Sequence, residues 1–277
     1  TITLMDDVNQ ALWNPAIISN RIDNKIGVNY MNFLADVNLA TVSYAHMFNR
    51  NIGTFHTGIS YLNYGKFIGA DETGAETGTF RAYDLSFSLG YAYNILHSDF
   101  YIGANLKLIN SVIDNYTSFG VGADFGLLFY NEHLPYSIAL ALRNIGYQVT
   151  VFDEKREDLP FEIQLGVSYK LENVPVTWHF TIDNLQQWKV AYANPSNSTT
   201  TIDGDVSEEK IGFLNNAFRH ISLGAEIFPE GLFNLRVGYN FRRAKELLLI
   251  DKRTFSGFSA GFGLQMRRVK FNYAFAK

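Results

Sequence analysis

The chain has no cysteine in 277 residues, few charges and no long hydrophobic run. Without cysteine there is no disulfide framework and no thiolate metal site. Charged residues make up 18%, against about 25% in ordinary soluble domains. The net charge of −4 is too small to argue for a nucleic-acid partner. No apolar stretch reaches the roughly 18 residues a membrane-crossing helix needs. No secretory signal is visible at the N-terminus, so the sequence reads as mature or trimmed. A serine nucleophile elbow and an HExxH motif are also missing. The six histidines, at 46, 56, 97, 133, 179 and 220, show no paired metal spacing. No catalytic residue, cofactor or metal ligand is assigned.

What the chain has is aromatic residues, 15% of the total, with 23 Phe and 16 Tyr. They follow a pattern. In YDLSFSLGYAYN (83–94), Tyr83, Leu85, Phe87, Leu89, Tyr91 and Tyr93 alternate with Asp84, Ser86, Ser88, Gly90, Ala92 and Asn94. Alternation puts the two sets on opposite faces of an extended strand. The pattern recurs at 102–108, 137–143, 162–169, 176–183, 221–227, 234–241 and 257–266, and Phe271, Tyr273 and Phe275 continue it to the end.

Two properties favour lipid on the greasy face. The strands run to about ten residues or more, where soluble strands average about 5–6 and membrane strands need about 9–11. The other face is mostly Gly, Ser, Ala and Asn, which suits a crowded barrel interior better than bulk water. The competing fold is a soluble β-sandwich or lipocalin-like barrel, which would bury the aromatic face instead. The sequence therefore predicts an all-β protein, a transmembrane antiparallel β-barrel in an outer membrane (26–277), after an N-terminal segment (1–25).

Strands are expected at 26–32, 36–48, 52–64, 78–94, 99–113, 117–131, 135–145, 161–171, 174–184, 219–228, 231–243, 257–267 and 268–277. Long connections at 65–77, 146–160, 185–218 and 244–256 follow odd-numbered strands. Outer-membrane barrels keep short turns in the periplasm and long loops outside, so these four are expected at the cell surface. About thirteen strands cannot close an antiparallel barrel, whose bacterial examples have even counts. A fourteenth strand beyond Lys277 is expected, unless a strand was missed near Trp188–Ala193.

Residues 1–22 do not alternate and contain Asn14-Pro15-Ala16, read either as a periplasmic plug or as a plain lead-in. FGVGADFG (119–126) lacks the glycine spacing and the following helix of a phosphate loop, so its glycines are read as interior-facing strand positions. Asp203, Asp205, Glu208 and Glu209 lack the spacing of a calcium loop and read as a solvated acidic loop. His179 and Asp183 share a polar face and read as interior hydrogen-bonding groups, as do Asp84 and Asn94. Arg242, Arg243, Lys245, Lys252 and Arg253 flank one predicted surface loop. They serve either solubility or contact with lipopolysaccharide phosphates, which arginine matches bidentately. Trp188, Tyr192, Phe213 and Phe218 lie in the longest loop as candidate partner anchors.

The Asn14-Pro15-Ala16 entry resembles that of the family containing long-chain fatty-acid transporters and PorV-like barrels. YLNYGKFIGADETGAETGTFRAYD (61–84), LPFEIQLGVSYKLENVPVTWHFTIDNLQQW (159–188) and LRVGYNFRRAKELLLIDKRTFSGFSAGFGL (235–264) resemble the PorQ family of the type IX secretion system of Bacteroidetes. The resemblance implies a non-enzymatic barrel of about 14 strands that anchors a PorZ-like surface protein. It would work alongside PorU-like and PorV-like components that link cargo to anionic lipopolysaccharide. The alternative reading is a transporter of fatty acids or other hydrophobic compounds, and a third is a general porin.

Overall fold

The computed structural model describes residues 1–33, 35–49, 51–95, 98–152, 156–191, 199–200, 206–207, 211–246 and 255–276. Tyr192, His97, Lys252, Arg253 and the acidic group Asp203, Asp205, Glu208 and Glu209 lie outside the described residues. Thirteen strands form one antiparallel sheet. They are β1 (Lys25–Asn32), β2 (Asn38–Asn49), β3 (Gly53–Ala70), β4 (Glu76–Asn94), β5 (Phe100–Ile113), β6 (Tyr116–Tyr130), β7 (Tyr136–Thr150), β8 (Glu162–Lys170), β9 (Val176–Ile182), β12 (Ile221–Ile227), β13 (Phe233–Asn240), β14 (Phe258–Gln265) and β15 (Lys270–Ala276). The small strands β10 (Thr199–Thr200) and β11 (Val206–Ser207) pair only with each other. No described helix is long and apolar enough to cross a membrane.

The contacts group the chain into two units. The first is Ile2–Tyr130 with Ala139–Glu162. In it the alternation read from sequence becomes a difference in exposure. On β4, Phe87 and Leu89 are exposed while Ser88 and Ala92 are buried. The buried side of these strands is the small, polar side. What covers it is the N-terminal segment, wound into three short 3-10 turns, Val8–Leu12, Pro15–Ile17 and Asn20–Ile22. Ile2, Met5, Ala11, Ala16, Ile17 and Ile18 form the core there with Ala92, Leu128, Ala139 and Ala141. Fully burying one isoleucine contributes about 1.5–3 kcal/mol. Exposed aromatics in such number exceed the apolar patches of soluble monomers, so hydrocarbon is their surrounding.

The second unit is Thr1, Asn131–Ile138 and Ile163–Lys277. Strands β8, β9, β12 and β13 alternate in the same sense: Trp178, Leu223, Leu235 and Tyr239 are exposed, while Ser168, His179, Glu226 and Asn234 are buried; β15 is exposed along its length. Short turns at 171–175, 228–232 and 266–269 lie at one end of this unit. Two short helices interrupt the long connections: α1 (Phe213–Phe218) and α2 (Phe241–Glu246).

The expected strands are all present, but several bounds shift. Residues 65–77 are not a loop. Strands β3 and β4 continue through Lys66↔Arg81 to Ala70↔Glu76, after a register shift between Asn63 and Lys66, and the connection shrinks to a turn. Asp71 closes that turn by accepting hydrogen bonds from the Thr73 hydroxyl (2.6 Å) and the Ala75 amide (2.9 Å). The Gly and Thr content that suggests a loop instead forms a twisted extension of the hairpin. Strand β7 likewise runs to Thr150. Strand β13 stops at Asn240, whose side chain accepts a hydrogen bond from the Arg243 amide (2.7 Å) and starts α2. Residues 183–191 carry no strand.

Candidate functional site

The first unit's small-residue face and the segment on it fit closely together. Glycines make the fit possible. A β-carbon on Gly27 would lie 2.5 Å from Val8 Cγ1, one on Gly58 2.7 Å from Leu12 Cδ2, and one on Gly90 2.7 Å from Ile18 Cδ1. A β-carbon on Gly103 would overlap the Pro15 carbonyl, and one on Gly126 the Asn14 side-chain oxygen. At Gly103 and Gly126 the obstruction includes the segment's backbone, so any side chain there would displace it, whereas at Gly27, Gly58 and Gly90 the ends of side chains would have to shift.

Asn14, Pro15 and Ala16 sit in the middle of this contact. Asn14 caps the second turn by accepting from the Ala16 amide (3.0 Å), and its Nδ2 donates to the Ile2 carbonyl (2.8 Å). Proline suits the first helical position because its missing N–H would have no partner there. From the wall, Asn105 Nδ2 donates to the Ala11 carbonyl (2.8 Å). The Arg143 guanidinium lies 4.2 Å from the centre of the Trp13 ring, and that of Arg21 4.7 Å from the Tyr130 ring. Trp13 itself stays half exposed.

Two ion pairs are set into the wall. Lys107 Nζ lies 2.7 Å from Asp124 Oδ2 and donates to Asn144 Oδ1 (3.0 Å). Asp124 is 0% exposed, and its Oδ1 accepts from the Asn144 amide (2.8 Å). Asn144 has φ +56°, a conformation asparagine tolerates better than most residues. Arg143 Nη1 donates to Glu162 Oε2 (2.9 Å). A buried charge left alone would be costly, so each carries its counter-charge.

The second unit has its own buried network. Ser168 Oγ and His179 Nδ1 are 2.6 Å apart, and His179 Nε2 is 3.9 Å from Glu226. Arg236 Nε donates to Glu226 Oε1 (2.9 Å) and its Nη1 to Asn272 (3.2 Å). Sequence reading placed His179 beside Asp183 alone. Its partners come from adjacent strands, and only sheet register brings them together.

The loop anchors split into two contacts. Trp188 and Phe213 pack at 4.8 Å between ring centroids, and Phe218 packs on Phe241 at 5.4 Å. Two residues that sequence reading missed organise this loop. Asn216 accepts from the amides of Val190 (3.2 Å) and Ala191 (3.1 Å) and donates to the Trp188 carbonyl. His220 faces the carbonyls of Asp183 (2.8 Å) and Trp188 (3.0 Å) with its two ring nitrogens. Neither had a motif to mark it. Arg242, Arg243 and Lys245 lie on α2, at the start of the connection that follows β13.

The fold is that of outer-membrane β-barrels. Solved structures it matches include a TodX monoaromatic hydrocarbon channel deltaS2 mutant (14% identity, TM-score 0.57), covering 96% of this chain and 87% of that one; the P. putida toluene transporter TodX (12%, 0.56, 96% and 86%); and the Ralstonia pickettii toluene transporter TbuX (10%, 0.53, 96% and 87%). At these identities the likeness carries the fold alone. No family model matches the chain, and no curated protein matches it.

Proposed function

We propose that this outer-membrane barrel lets small hydrophobic compounds pass, and that its N-terminal segment is the plug that must shift for them to do so. The observation that carries this reading is the seating of Leu12–Ile18 on Gly58, Gly90, Gly103 and Gly126. Structural neighbours described as a hydrocarbon channel and toluene transporters support it. The wall under the plug is polar, but Lys107–Asp124 and Arg143–Glu162 neutralise each other. A moving apolar solute therefore meets these four charges already paired.

The test is toluene uptake by cells that contain the barrel, compared with cells that lack it. Cysteines at Ala11 and Asn105, whose backbone and side chain already meet, should close the route under oxidation and reopen it on reduction. Uptake equal to that of the control cells would remove the reading.

A second reading is the anchoring role implied by the resemblance to the type IX secretion barrels. What favours it is the loop matches and the segment after Ile182, held in one arrangement by Asn216 and His220. It predicts that a PorZ-like surface protein co-purifies with the barrel in mild detergent. Deleting 194–210 should release that protein while leaving α1 intact. If co-purification survives the deletion, this loop is not the dock.

A further inference from the structure

The rim of the second unit has a composition that neither reading uses. The lipid-facing side of β13 ends in Val237 and Tyr239. Tyr239 meets Phe241 at 4.9 Å, edge to face, and Phe241 meets Phe218 at 5.4 Å. An unbroken aromatic run thus climbs from the membrane wall through α2 onto α1. On α1, Phe213 and Leu214 are 70% and 69% exposed, among the most open apolar side chains of the described residues.

Cations lie on the same short helix as Phe241. Lys245 is exposed on α2. Arg243 is half-buried, and its Nε is enclosed with no hydrogen-bond partner among the described residues. An enclosed guanidinium donor without an acceptor costs free energy unless an anion completes it. Arg242 is paired with Glu246 (2.8 Å), so it is not counted.

We infer that α1 and α2 form a binding site for an acylated lipid with a phosphate-bearing headgroup. Phe213, Leu214 and Phe218 would lie against its acyl chains, while Arg243 and Lys245 hold the phosphate. Continuity with the lipid-facing wall is what selects a lipid over a protein. Helices with an apolar face and basic residues beside it settle at the headgroup level, their long side chains reaching back to the phosphates. Arginine matches a phosphate with two parallel hydrogen bonds.

The experiment is native mass spectrometry of the full chain released from detergent, with bisphosphorylated lipid A, dephosphorylated lipid A and inorganic phosphate as probes. Wild type should retain bisphosphorylated lipid A and bind the dephosphorylated form about tenfold less well, the loss expected when charge-assisted hydrogen bonds are removed. The double variant Arg243→Gln/Lys245→Gln should show a similar loss, and Phe213→Ser/Leu214→Ser should also weaken retention. Heat-modifiable gel migration reports whether each variant folds. Equal retention of the two lipid forms by wild type overturns the inference without needing any variant. Displacement of the lipid by inorganic phosphate would show an anion site that does not recognise lipid. Binding of a surface protein that the serine variant abolishes, with lipid retention unchanged, would assign the patch to a protein partner.

Discussion

Gly126 lies directly beneath Asn14. A β-carbon at 126 would overlap the Asn14 amide oxygen, the same oxygen that accepts the Ala16 amide at 3.0 Å. The absence of a side chain on β6 is therefore the condition for the cap on the N-terminal turn. Substituting Gly126→Val should lift the segment off the wall while the strands stay paired. Overpacking of this kind costs about 1–3 kcal/mol. Limited proteolysis should show cleavage within residues 2–22 and none in the strands. A variant as resistant as wild type would mean that the wall yields and the segment does not.

Asn14→Ala removes the cap and the tie to Ile2 together. Loss of such a cap costs about 0.5–2 kcal/mol, and here it should appear as the same proteolytic opening, in milder form. Asn14→Asp keeps the acceptor but sets an unpaired buried carboxylate against the Ile2 carbonyl, so it should open the segment more than Asn14→Ala does.

Lys107→Ala leaves Asp124 buried and uncompensated. Breaking a buried pair on one side typically costs about 3–5 kcal/mol. The double variant Lys107→Ala/Asp124→Ala should recover most of that loss. Urea unfolding in vesicles reads both, and a double variant no better than the single would show that the charge is not what matters.

Phe87 and Ser88 are neighbours on opposite faces of β4, Phe87 exposed and Ser88 buried. An arginine on the hydrocarbon side of a barrel costs about 2–4 kcal/mol at mid-membrane. Phe87→Arg should therefore slow or prevent insertion into vesicles, whereas Phe87→Leu should insert normally. Free insertion of the arginine variant would mean that this face does not meet lipid.

The turn at Asp71 should respond to acid. The Thr73 hydroxyl, with the Ala75 and Thr73 amides, holds the Asp71 carboxyl below its ordinary value of 3.8. A depressed folded pKa stabilises the turn above the unfolded value and loses that support as pH falls through the folded one. Amide protection at Thr73 and Ala75, taken against the intrinsic exchange rate at each pH, should therefore hold down to about pH 3.8 and fall below it. Asp71→Asn should exchange faster than wild type at neutral pH and show no such acid step. Protection that ignores pH in wild type would detach the turn from this carboxylate.

Alternation determined much by itself. Which side of YDLSFSLGYAYN meets hydrocarbon, how many strands there are and roughly where each lies all depend on residues two apart, whose geometry the strand backbone sets. Composition likewise made lipid the natural surrounding for the aromatic face. What the sequence could not supply were the non-local meetings. Asp124 finds Lys107 from the next strand, Ser168 finds His179, and Asn216 finds Trp188 across a long loop, because register and chain reversal bring distant residues together. The hairpin extension past Asn63 and the helix at Phe241–Glu246 were also decided in three dimensions. Paired backbone overrode a loop-like composition in the first, and a single asparagine side chain turned the end of a strand into a helix in the second. Most of all, the glycines of β1 and β3–β6 read only as room inside a crowded wall. That the N-terminal segment fills this room, with Asn14, Pro15 and Ala16 at its centre, follows from steric fit between parts of the chain a hundred residues apart, which no local pattern records.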